Sequence, residues 1–121
     1  INLALAAFKQ GEQENEKEQA IRYFNEAIEN IGKMLPQIRF VAKEDFAIAL
    51  NLAHYYLPLS YQKLWQLTEQ KAYLQQAVKE WQKYFSEMEA MEKTQQEPDT
   101  LESAKVFFKQ AQANLAAKSS G

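Results

Sequence analysis

Ala20-Ile21-Arg22-Tyr23-Phe24-Asn25-Glu26-Ala27 is the stretch whose reading decides the fold. Continued downstream, Ala20, Phe24, Ala27, Ile28, Ile31 and Leu35 fall at helical spacing and make one apolar stripe. The helix they define runs from about Glu14 to Leu35. Its motif is a small residue, then a large aromatic one turn later, then a small or aromatic residue. It recurs as Ala77, Trp81 and Tyr84, and again in Ala104-Lys105-Val106-Phe107-Phe108-Lys109-Gln110-Ala111. A small side chain lets a second helix approach closely, and the aromatic ring fills the space beside it. Any amphipathic helix can show this spacing once by chance; three copies point to an internal repeat of packed helices.

The rest of the chain reads as helix around these three. Ile1 to about Gln10 carries Leu3, Ala4, Ala7 and Phe8, and Gly11 offers a helix stop. Glu14, Glu16 and Glu18 suit the positive end of the second helix, which Pro36 closes. A third helix covers about Ala42 to Leu57, with Phe46, Ala49, Leu50, Ala53, Tyr56 and Leu57 on one stripe. Ile48, Leu52 and Tyr55 add a second stripe, so this helix is expected at the centre. Pro58 either kinks it or restarts a helix that continues from Leu59 to Leu67. A fourth helix runs from about Lys71 to Met91. Residues 93–100 read as a linker. Asp99 and Glu102 resemble a capping box opening a fifth helix, with Leu101, Ala104, Phe108, Ala111 and Leu115 on one side.

Composition agrees. Three Gly and three Pro in 121 residues are too few for the turns of a β-sandwich, so an all-α fold of five to six antiparallel helices is expected. The chain reads as a single domain, 1–121, and its opening on Ile1 suggests a fragment of a longer protein. A net charge of −2 gives no pull toward nucleic acid. The longest uncharged run, Phe46 to Gln62, is interrupted by Asn51, His54, Pro58 and Ser60, so membrane insertion is not expected. Without cysteine there is no disulfide or thiolate site; the compartment stays open, with the cytoplasm favoured.

Few residues suggest chemistry. His54 is the only histidine, and a helical-bundle metal site needs several His and carboxylates at matched spacing. A buried core histidine is the simpler reading. No glycine-rich loop is present to cradle phosphate or present a serine nucleophile. Glu87, Glu89 and Glu92 read as a solvated face. Trp65, Trp81 and the Tyr55-Tyr56 pair suit a core better than a ligand pocket. No enzyme activity, cofactor or metal is therefore expected.

The repeated motif resembles the second helix of tetratricopeptide repeats. Phe8-Lys9-Gln10-Gly11 looks like the end of a first helix in that family. Leu50-Asn51-Leu52-Ala53, with Tyr56-Leu57 and Leu59, looks like the next first helix. Leu101-Glu102-Ser103-Ala104-Lys105 with Phe108 looks like a further second helix. The spacing of Ala20, Ala77 and Ala104 departs from the family's roughly 34-residue period. The resemblance implies a right-handed array of helical hairpins and a scaffold that binds a partner peptide or helix in a groove lined by first helices. Asn51 and Lys63 would be the exposed polar positions there, although Leu5 and its neighbours lack the Lys and Asn of a carboxylate clamp. A narrower likeness is to the alpha-four family, which escorts type 2A protein phosphatase catalytic subunits. Gly11, Ala20, Phe24, His54-Tyr55-Tyr56-Leu57-Pro58, Leu74, Ala77, Trp81 and Phe85 follow a similar order. That family contacts the phosphatase through an Arg and a Lys three residues later. Here Lys105 matches the Lys, and Glu102 stands where the Arg would be. A structural domain that associates with itself is the third alternative.

Overall fold

The computed structural model describes residues 2–40, 43–90 and 98–120, and no strand occurs among them. Five α-helices follow in order: α1 (Asn2–Gln13), α2 (Lys17–Met34), α3 (Lys43–Thr68), α4 (Lys71–Ala90) and α5 (Pro98–Ser120), with a 3-10 helix at Leu35–Phe40. The fold is all-α. Each helix packs on the next, and α3 additionally touches both α1 and α5. Residues 14–16 and 69–70 are the connections within the pairs α1–α2 and α3–α4, so the members of each pair run antiparallel.

The apolar stripes become the core. Ala20, Phe24, Ala27 and Ile31 of α2 are buried, as are Leu74, Ala77, Trp81, Tyr84 and Met88 of α4. Ala104 and Ala111 of α5 are fully covered, and Phe108 packs beside them half-buried. One cluster joins all five helices, from Ala7 and Phe8 through Leu59 and Leu64 to Ala111. A second, smaller cluster of Ala4, Ile31, Ala49, Ala53 and Leu57 closes the other end of α1, α2 and α3. Rings run through the main cluster in edge contact: Phe24 on Phe8 at 5.4 Å, Phe8 on Tyr56 at 5.0 Å, Tyr56 on Tyr55, and Tyr55 on Trp81 at 5.7 Å. Such contacts fix mutual ring orientation as well as burying area.

Several boundaries differ from the sequence expectations. Gly11 does not stop α1, which continues to Gln13. The glycine is buried, and a Cβ there would lie 2.8 Å from the Phe24 ring. Its lack of a side chain serves packing between α1 and α2, and no turn requires it. α2 begins at Lys17, so Glu14 and Glu16 precede it and only Glu18 lies in its first turn. Pro36 ends the α-helix one residue early, at Met34, and the chain tightens into the 3-10 helix. α3 passes through Pro58 as one helix, uniting the two segments. Pro58 is fully buried and can donate nothing to the carbonyl of His54. Asp99 is not the cap of α5: the helix already includes Pro98, the residue type preferred at a first helical position, and Asp99 sits in the first turn. Glu102 pairs with Lys105 instead. The expected linker thus ends before Pro98; residues 93–97 lie outside the described residues, as do Met91 and the side chain of Phe46.

Candidate functional site

α3 touches both other odd-numbered helices, α1 and α5. Among the described residues the exposed large apolar side chains are Leu3 of α1, Ile48 of α3 and Val106 of α5. On α3, Ile48, Leu52 and Asn51 wall a hollow of about 200 Å³ together with Thr100 of α5. Further along, the Lys63 ammonium lies 3.9 Å from the Glu12 carboxylate of α1, which ties the two helices loosely.

The three sequence-predicted residues are not brought together. Asn51 is only 3% exposed, so it lies beneath the surface rather than on it. Its apolar neighbours on the helix, Leu50 and Leu52, had marked it as polar among apolar residues, but not how deep it sits. Lys63 belongs to the α1 side, twelve positions along the same helix, and lines a different hollow with Gly11 and Phe24. Lys105 is on the exposed side of α5, paired at 3.3 Å with Glu102. The pair therefore occupies its own charges on the surface.

Sequence reading passed over the buried polar residues that shape this region. Gln62 is 5% exposed; its Oε1 accepts from the Trp81 indole and its Nε2 donates to the Phe107 carbonyl at 3.1 Å. Glu80 is 6% exposed and accepts from Gln76 at 3.2 Å and Lys83 at 3.4 Å. Trp81 is wholly buried, which makes it core and not the wall of a ligand pocket.

A hollow of about 430 Å³ lies between His54 and the polar face of α4 (Gln76, Lys79, Gln82, Lys83, Ser86 and Glu87). The His54 Nδ1 is buried and has no hydrogen-bond partner. Burial pushes the imidazole below its ordinary 6.5; Glu87 and Glu80 oppose this, and Lys83 adds to it. Among the described residues no three His, Asp or Glu side chains gather to hold a metal, and no helix is long and apolar enough to cross a membrane. Glu89 is exposed, Glu87 half-buried, and Glu92 lies outside the described residues.

Set against known proteins, the chain matches no family model, no curated protein and no solved structure.

Proposed function

We propose that the chain is a non-catalytic scaffold that binds a peptide or helix of another protein across the side shared by α1, α3 and α5. One observation carries this reading. Among the described residues, the large apolar side chains left exposed, Leu3, Ile48 and Val106, each belong to an odd-numbered helix, while the stripes of α2 and α4 turn inward. Scattered singly they would mean little. Ile48 gains weight because it borders the hollow shared with Thr100, where a partner's apolar residue would find Leu52 and the covered Asn51. The alternation of hairpins, with α3 between α1 and α5, suits the groove of a tetratricopeptide-like array.

The test is a photo-crosslinking residue at position 100, across the hollow from Ile48, used in cell extract with Ile48 intact and with Ile48→Asp. The expected result is a specific protein crosslink that Ile48→Asp abolishes while thermal stability is unchanged. A crosslinked phosphatase catalytic subunit would favour the alpha-four-type reading, and a crosslink only to the chain itself the self-associating one. Crosslinks that Ile48→Asp leaves intact would defeat the groove.

A further inference from the structure

We propose that His54 is a two-position proton latch on the α3–α4 pair: neutral, its ring stays between the helices; protonated, it turns into the adjoining hollow toward Glu87 and the pair loosens. The proposal is independent of the protein-binding reading. Its first support is geometric. Nδ1 is buried with no partner, so a proton added there creates a buried N–H donor with nothing to accept it. The second is room. The hollow beside the ring holds about 430 Å³ and has the Glu87 carboxylate on its wall. An imidazolium that swings outward exchanges an orphaned site for solvent and an anionic acceptor, which gives two discrete positions rather than a gradual drift.

Burial, more than charge, holds the neutral state. Among the described residues, the groups that act on the ring all come from α4: Glu87 and Glu80 favour the proton, Lys83 opposes it, and burial outweighs the two carboxylates. Glu80 is already engaged by Gln76 and Lys83, so Glu87 is the acceptor left for the swung ring. Lys79 also lines the hollow, on the same helix face. α3 itself offers no charge between Phe46 and Gln62. Pro58, one turn on, donates no backbone bond to the His54 carbonyl, so α3 is less tightly held at this point than elsewhere.

The sign follows from the lowered pKa. Between the folded value and 6.5 the unfolded chain binds more protons, so stability is full above 6.5 and falls as pH drops. Since His54 is the sole histidine, the window between about pH 7.5 and 5.5 isolates it well. Wild type should show a lower Tm at the acid end, while His54→Gln should be nearly flat. Hydrogen exchange at the acid end should speed up along α3–α4 ahead of α1–α2. A His54→Gln profile as steep as wild type overturns the latch. Should that variant fail to fold, NMR titration of the wild-type ring decides. A value below 6.5 that moves further down in Glu87→Gln supports the proposal; a value at or above 6.5, or one indifferent to Glu87→Gln, overturns it.

Discussion

Gln62 Oε1 on α3 accepts a 2.5 Å hydrogen bond from the indole Nε1 of Trp81 on α4. The same amide donates through Nε2 to the carbonyl of Phe107 in the middle of α5. One buried side chain thus joins three helices, and it specifies which way round Trp81 sits. Trp81 in turn stacks on Phe107 at 6.3 Å with planes 11° apart, so the polar and aromatic contacts between α4 and α5 meet at one place.

Gln62→Leu should therefore cost about 2–3 kcal/mol, because it strands a buried indole N–H. Trp81→Phe on its own removes the donor but also shrinks a fully buried side chain. The two changes combined should cost less than their sum, with a coupling of about 1–2 kcal/mol in denaturant titrations. Strict additivity would mean that the bond contributes nothing net.

The contrast between Gln62 and Phe24 shows what a sequence reveals. Phe24 is legible because its neighbours repeat at helical spacing, and that periodicity survives in one dimension. The partners of Gln62 lie 19 and 45 residues away, and no local pattern announces them. Gly11 was misread for the same reason: a glycine near a helix end has two meanings, and the ring that selects between them belongs to another helix. Asn51 stood out as a polar residue between apolar neighbours and was expected to be exposed in the groove; it is buried instead, because its depth depends on how α3 and α5 meet. Pro58 left kink or restart open; its full burial within α3 resolves this in favour of one helix.

Two glycines in helices make an internally controlled experiment. Ala is the better helix former by about 1 kcal/mol. At Gly32 an added Cβ meets nothing within 4 Å, so Gly32→Ala should stabilise by about 0.5–1 kcal/mol. At Gly11 the Cβ would press on Phe24, a side chain 2% exposed and braced by Phe8. Gly11→Ala should destabilise by about 1–3 kcal/mol despite its propensity. Equal gains at both sites would show that Phe24 moves freely.

The turn between α3 and α4 carries strain. Glu69 has φ 57°, the left-handed region, while its N–H reaches back to the Trp65 carbonyl at 2.7 Å. Thr68 braces the turn, donating to Leu64 at 2.8 Å and accepting from the Gln70 N–H. Glycine adopts this conformation without the Cβ penalty. Glu69→Gly should raise stability by about 0.5–1 kcal/mol in thermal or denaturant unfolding, and Glu69→Val should lower it. A loss on Glu69→Gly would mean that the glutamate side chain contributes more than its backbone costs.

Tyr84 lies in the aromatic centre, and its hydroxyl is buried without a hydrogen-bond partner. Burial first, and then Tyr55 beside it, push its pKa up to about 12 from the ordinary 10.0. The fold therefore favours the neutral phenol. Between those two values the unfolded chain holds fewer protons than the native one, so stability is full below pH 10 and falls as pH rises toward 12. Tyr55, Tyr56 and Tyr61 are also raised by burial, so the alkaline loss is shared. Tyr84→Phe should make the descent shallower without abolishing it. At neutral pH the same substitution removes an unsatisfied hydroxyl and keeps the ring, so stability should be unchanged or rise by up to about 1 kcal/mol. Urea titrations of both proteins at neutral and alkaline pH measure the two effects together. A neutral-pH loss above about 1 kcal/mol would show that the hydroxyl is hydrogen-bonded after all, since only a satisfied group costs that much to delete.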